Sequence, residues 1–281
     1  KWREFYRALF TANYTIESEN MIEEGTADEV RQLVGESYML RAYVHFLLVN
    51  LYGEPYTHCD PATSKAIPLK LNSDTEAVLT RNTVGEVYSS ILSDLVEAEK
   101  YLNVDKWELG YNYRFTTLAV NALRSRVYLY MGDWAKSLEA SEAVLSVNNQ
   151  LVDMSSSTIL PNEYNSSENI LALEEVMNAQ YVRAAKVATS LWKLYGTGDL
   201  RKSKYFKQVT ASNIQVIKGG SNQYRCSFRV GEIYLNAAEA ALMTGEAAID
   251  VARENLLTLM EKRYTANAYA TKEAAVNAMG W

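Results

Sequence analysis

Three times along this 281-residue chain an amphipathic helical pattern runs into a glycine and then resumes. Residues 33–52 place Leu40, Tyr43, Val44, Leu47 and Leu51 on one helical face, and Gly53 follows as a stop. A helix from Thr116 or Thr117 through Met131 meets Gly132, and Asp133 can cap a second helix over 134–147. A third pattern over 230–243 meets Gly245 and resumes over 247–264. Each helix has one apolar stripe, which an adjacent helix must cover. The pattern therefore predicts a mainly α chain of packed helical pairs.

The three glycines are 79 residues (53 to 132) and 113 residues (132 to 245) apart. A contiguous tetratricopeptide array repeats about every 34 residues, so these pairs read as tetratricopeptide-like hairpins separated by long insertions. The first pair closes with a helix over 84–102, where Thr83 and Glu86 make a capping box and Val87, Ile91, Leu95 and Ala98 share a face. Three of the four prolines (Pro55, Pro61, Pro68) lie in 54–73, which predicts an extended loop. Residues 103–114 form a second, aromatic loop, and 148–169 is a polar, Ser-rich loop. A short strand is expected near 170–176, a helix or turn over 184–195 ending at Gly196, and a small hairpin over 204–229. We expect one domain over 1–281, with helix pairs around 33–102, 116–147 and 230–264 and insertions at 54–73, 103–114 and 148–229. The chain opens inside a helical pattern (Trp2, Phe5, Tyr6, Leu9, Phe10) and stops at Trp281 just after another, an expectation that both ends are trimmed.

Apolar residues make 48% and charged residues 22% of the chain, which excludes wholesale disorder. A net charge of −6 argues against general nucleic-acid binding. Cys59 and Cys226 are too few and too distant for a disulfide framework and read as unpaired thiols. With only His45 and His58, a multi-histidine metal site is not expected, and no metal or cofactor is called for. The longest apolar stretch, over 43–51, is interrupted by His45 and Asn50 and is far too short to span a bilayer.

Several segments together resemble the SusD/RagB-like outer-membrane nutrient-binding lipoproteins of Bacteroidetes-type bacteria. GESYMLRAYVHFLLVNLYGEPY over 35–56 is close to that family's G-E-x-x-x-L-R-A signature. Trp2, Tyr6 and Ala12–Asn13 resemble its early helix, and Arg81, Thr83 and Asp94–Leu95 the segment that follows the signature. Residues 114–144 resemble its central hairpin through Arg126, Tyr128, Gly132, Asp133 and Trp134. Asp199–Leu200–Arg201 resembles its D-x-R loop, and FRVGEIYLNAAEA over 228–240 its late helix. The resemblance implies a SusD-like αα-superhelix and a non-catalytic surface protein. It also implies a lipid anchor that this chain lacks, a poly- or oligosaccharide ligand and a SusC-like TonB-dependent transporter as partner.

A sugar ring offers an apolar C–H face to an aromatic side chain and hydroxyls to polar ones, and Tyr and Trp serve both. Two short segments have that composition: Trp107, Tyr111 and Tyr113, and Trp192 and Tyr195 with Asp199 and Arg201. The competing reading packs these rings between hairpins, most strongly for Trp192 and Tyr195. Tyr38, Tyr43, Tyr128 and Tyr234 fall on helices with apolar neighbours and read as core. Arg41, alone in an apolar helix, requires a buried partner. Arg229 and Glu232, at i and i+3, read as architectural. Adjacent Glu174–Glu175 cannot face each other across a cleft, which disfavours glycosidase chemistry. Asn13-Tyr-Thr and Asn165-Ser-Ser match the glycosylation sequon, a pattern short enough to arise by chance. The alternative to a glycan-capture protein is a tetratricopeptide-type scaffold for a peptide or protein partner, which the irregular spacing disfavours.

Overall fold

The computed structural model describes residues 2–173, 186–211, 213–218 and 227–278. Among these are ten α-helices and two small two-stranded sheets. The helices are α1 (Trp2–Glu17), α2 (Ala27–Tyr52), α3 (Val84–Tyr101), α4 (Thr117–Met131), α5 (Trp134–Val147), α6 (Thr189–Leu194), α7 (Leu200–Tyr205), α8 (Val230–Thr244), α9 (Ile249–Glu261) and α10 (Ala266–Ala278). The strands are β1 (Asn169–Leu171), β2 (Phe206–Thr210), β3 (Asn213–Val216) and β4 (Phe228–Arg229). The expected mainly α class is the observed one. Glu174, Glu175, Gly219, Gly220 and Cys226 lie outside the described residues, and Cys59 is a free thiol.

The chain forms two compact units. The first comprises Lys1–Trp107 and Phe115–Ser137. Its centre is α2, capped by a Thr26/Glu29 box and about 39 Å long at 1.5 Å per residue. The sequence predicts one apolar face on this helix. Instead Val34, Met39, Ala42, Val44, Phe46, Leu48 and Val49 are all buried, because α1 and α3 both pack against it. Leu51 departs from its expected face and is 62% exposed. Gly53 ends α2 in an extended conformation, whereas Gly132 closes α4 at φ +74°, the left-handed geometry that favours glycine. Thr83 and Glu86 form the predicted capping box on α3. The backbones of α2 and α3 approach closely at Gly35, where a Cβ would lie 2.8 Å from the Leu102 nitrogen. Each large aliphatic side chain buried here contributes roughly 1.5–3 kcal/mol.

The proline-rich segment is braced on the same unit. Ala66 N–H donates to Asn82 O at 2.8 Å and Asn82 N–H to Ile67 O at 3.0 Å. Arg81 donates to the carbonyls of Lys65 and Ala66. The Asn13 amide on α1 donates to the carbonyls of Lys70 and Asn72 at 2.9 and 3.0 Å. Asn13 is fully buried, so its sequon cannot accept a glycan.

The second unit comprises Glu108–Arg114 and Leu138–Trp281. Its core brings Val230, Ile233, Ala237, Ala240 and Ala241 of α8 against α9, with Met154, Leu171 and Phe228 also buried. The expected strand near 170–176 is β1, and it pairs antiparallel with β4, just ahead of α8. The expected hairpin is β2–β3, extended by a bridge from Lys186 to Gln215. Loop residues 198–200 pair with 263–265 through Leu200 N–H to Arg263 O and Thr265 N–H to Gly198 O, both 2.9 Å.

Candidate functional site

The aromatic loop after α3 is fixed at both ends in the first unit by one buried side chain. Gln32 Oε1 accepts from the N–H groups of Asn103 and Val104 at 2.9 and 3.1 Å, and Gln32 Nε2 donates to Phe115 O at 3.0 Å. Trp107 is half-buried there, and its indole N–H donates to Phe115 O at 3.0 Å. Its polar tip is therefore engaged within the fold.

Residues 108–114 belong to the second unit and turn tightly. Tyr111 N–H donates to Glu108 O, and Arg114 N–H to Tyr111 O. Gly110 takes φ +105° with open space around it, a conformation L side chains rarely adopt. Asn112 is the anchor: its side-chain amide donates to Tyr164 O at 2.6 Å, and its carbonyl accepts from Ala172 N–H at 2.9 Å. Alternation around this anchor leaves Tyr111 50% and Tyr113 39% exposed. Their ring centroids are 6.4 Å apart with planes 33° from parallel. Two neighbouring rings are thus held at the surface of a braced turn. Asn112 carries no chemical signature of its own; the readable clue is a polar residue between two tyrosines.

The rings of the second aromatic segment pack on one another. Phe206 sits among Trp192, Tyr195 and Tyr205, at centroid distances of 6.1, 5.1 and 6.4 Å. Lys202 Nζ lies 4.7 Å from the Trp192 ring and donates to Tyr195 O. Asp199 is buried, with both carboxylate oxygens holding the Arg201 guanidinium at 2.9 and 2.7 Å. Arg201 also stacks against Tyr195 and Tyr264. Burial works against the Arg201 charge, but Asp199 outweighs it and raises the guanidinium pKa. Trp192, Tyr195, Asp199 and Arg201 thus belong to one half-buried cluster, with Asp199 itself buried as a helix cap.

Arg41 and Asp94 form a bidentate pair at 2.9 and 2.6 Å beneath a shallow groove of about 560 Å³, walled by Glu86, Ser89, Ser90 and Ser93. Arg41 also donates to Asn13 Oδ1 at 2.8 Å and lies over the Tyr38 ring. Burial raises the Asp94 pKa, and the Arg41 bonds pull it part of the way back. Next to it on α2, His45 is fully buried; burial and the Arg41 charge push its pKa down to about 3. Tyr43 and Tyr234 are buried, while Tyr38 and Tyr128 are half-buried.

In the second unit, Arg229 lies opposite Asn169 and its charge acts on the buried Tyr205 phenol, whose pKa burial raises. Glu232 is half-buried in the first turn of α8. The charge pair that holds this unit is one the sequence does not suggest. Buried Glu168 accepts from Arg263 and from Val152 N–H, and Arg263 also donates to Val152 O at 2.7 Å. A separation of 95 residues hides this pair from any local reading.

Residues 1–129 match a SusD-like family described as starch-binding and associating with the outer membrane. The SusD-like protein P38 of Formosa agariphila is 30% identical over 148 residues, which is 53% of this chain and 26% of that relative. The chain therefore spans about a quarter of the length of this curated relative. A SusD superfamily protein from Bacteroides thetaiotaomicron superposes with a TM-score of 0.84 at 21% identity, covering 99% of this chain and 69% of its own. One from Bacteroides fragilis gives 0.82 at 23% identity, covering 100% and 68%. A laminarin-binding SusD-like protein gives 0.70 at 18% identity, covering 99% and 74%. At these identities the superpositions establish the fold.

Proposed function

From the premise that residues 1–129 are SusD-like and that the chain has the SusD-superfamily fold, we propose that this protein is a non-catalytic glycan-binding component of nutrient uptake at the outer-membrane surface. In this reading it is lipid-anchored in its full-length form. It captures a poly- or oligosaccharide and passes it to a SusC-like TonB-dependent transporter.

The observation that carries the reading is the Tyr111–Asn112–Tyr113 turn. The turn holds Tyr111 and Tyr113 side by side with 50% and 39% of their surface exposed, and aromatic side chains contribute most when covered. The Asn112 anchor means that little ordering entropy remains to be lost when a ligand arrives, which raises affinity. Tyr111 adds a hydroxyl with no partner among the described residues. An apolar ring face beside a free hydroxyl is what a sugar requires. Trp192, Tyr195, Asp199 and Arg201 then support the fold of the second unit, and Trp107 that of the first.

The match to a starch-binding family and the laminarin-binding neighbour make neutral glucans the first probes. Native gels containing starch, laminarin, xylan or mannan test the reading. Retardation by at least one neutral polysaccharide is expected. A folded protein that migrates unchanged in every gel would refute it.

A further inference from the structure

The net charge of −6 conceals a sharp segregation. Residues 186–218 carry seven cations (Lys186, Lys193, Arg201, Lys202, Lys204, Lys207, Lys218) against one carboxylate, Asp199, for a net of +6. The rest of the chain is therefore at −12, since the whole is −6.

These cations divide into two sets. Arg201 is bound to Asp199, Lys202 donates to Tyr195 O, Lys204 donates to Ser157 O at 3.0 Å, and Lys218 covers the Tyr205 ring. They hold the local fold together. Lys186, Lys193 and Lys207 are exposed and have no hydrogen-bond or ionic partner among the described residues.

Two of the free lysines are placed by the sheet. Lys186 and Lys207 both pair with Gln215, one from each side. Residues directly opposite on neighbouring strands project to the same face. Lys186, Gln215 and Lys207 therefore form a row across three strands, with the ammonium-bearing positions about 10 Å apart at two strand spacings. On the opposite face, Val187 and Ile214 are buried, which fixes the register and hence the row. Like charges gathered without counter-charges repel, weakly at this separation because it is near the Debye length in physiological salt. Among the described residues the row has no partner to account for it.

We propose that this row is a second glycan contact that selects an anionic polysaccharide, one bearing sulfate or carboxylate groups along its chain. The inference rests on the glycan-capture reading above and specifies its ligand class. The two lysines engage successive anionic groups, and the Gln215 amide between them serves a hydroxyl as both donor and acceptor. The surrounding positive field concentrates a polyanion near a protein that is otherwise acidic. A polymer fits better than a lipid surface, because the cations lie in a line across a hairpin whose same face carries Thr210 and Asn213.

The test compares dextran sulfate with dextran, its uncharged parent, in affinity gels, with mixed phosphatidylglycerol–phosphatidylcholine vesicles as a third arm. The wild-type chain is expected to be retarded by dextran sulfate at low salt, to be released at high salt and to ignore dextran. A Lys186→Glu/Lys207→Glu variant is expected to bind dextran sulfate about 10-fold more weakly, given up to about 1 kcal/mol per exposed ion pair. A Lys65→Glu/Lys272→Glu variant, equal in charge and changed elsewhere, is expected to bind as the wild type does. Equal loss in both variants would mean that overall charge alone matters, and would overturn the proposal. So would equal retardation by dextran, or binding to vesicles without binding to dextran sulfate. Retardation by a neutral glucan with none by dextran sulfate would overturn this inference and leave the glycan-capture reading standing. Dextran sulfate binding that follows the row, with no neutral polysaccharide bound, would support this inference and overturn only the assignment of a neutral polysaccharide to the tyrosine pair.

Discussion

Lowering the pH should destabilise this fold through one residue, His45. Its Nε2 accepts the Lys70 N–H at 3.3 Å, so the proton of the neutral ring sits on Nδ1, which is buried without a partner among the described residues. Burial first, and the nearby Arg41 charge second, push its pKa from 6.5 to about 3. Above pH 6.5 the ring is neutral in both folded and unfolded chains and contributes no pH dependence. Below 6.5 the unfolded chain takes up a proton that the folded chain refuses. Stability then falls by about 1.4 kcal/mol per pH unit until the folded pKa is reached. The loss from this group is roughly 2 kcal/mol at pH 5 and approaches about 5 kcal/mol near pH 3. Asp94 works in the opposite sense, because its raised pKa makes acid favour the folded state, but it is common to both proteins compared. Urea unfolding followed by tryptophan fluorescence at pH 8 and pH 5 gives the comparison. The wild type should lose about 2 kcal/mol more between these values than His45→Gln does. Equal losses would refute the assignment of acid sensitivity to this histidine.

Other substitutions test the frame and the site. Gly35→Ala would put a methyl 2.8 Å from the Leu102 nitrogen and 2.9 Å from its Cγ, and the gain in helix propensity cannot offset that overlap. A net loss of about 1–3 kcal/mol is expected in denaturant midpoints. Asp94→Asn leaves Arg41 buried without its counter-charge and should cost about 3–5 kcal/mol. Arg41→Met combined with Asp94→Leu should cost less than Asp94→Asn alone, which calorimetric melting can read. Asn112→Ala removes the 2.6 Å bond to Tyr164 O and should weaken glycan retention, while costing only about 1 kcal/mol of stability.

The helical frame was legible because its signals are local. Gly132 needs a left-handed conformation, Thr83 and Glu86 are three residues apart, and apolar periodicity marks α3 and α8 over several turns. Arg41 announced a buried partner by standing alone in an apolar helix, and the resemblance over 35–56 pointed to the fold. What stayed hidden depends on distant pairing. β4 is two residues long and meets β1 across nearly sixty residues, so its pairing leaves no local pattern. Glu168 and Arg263 look like ordinary surface charges until the fold brings them together. At the candidate site, composition picked out an aromatic loop but could not separate its rings. Trp107 is tied to Phe115 O, whereas Tyr111 and Tyr113 face outward, and the difference is made by Asn112 bonding to Tyr164, 52 residues away. The lysine row was masked in the same way, since net charge averages over the whole chain.

The most direct test of the central claim is the affinity of a Tyr111→Ala/Tyr113→Ala variant for whichever neutral polysaccharide retards the wild-type chain. Both rings lie at the surface, so the melting temperature should barely move. Loss of two stacking contacts should weaken binding by about 10-fold or more. A Trp192→Phe variant, altered in a ring that packs on Phe206, should bind as the wild type does. Undiminished affinity in the double tyrosine variant, with the same polysaccharide and an intact fold, would contradict the account.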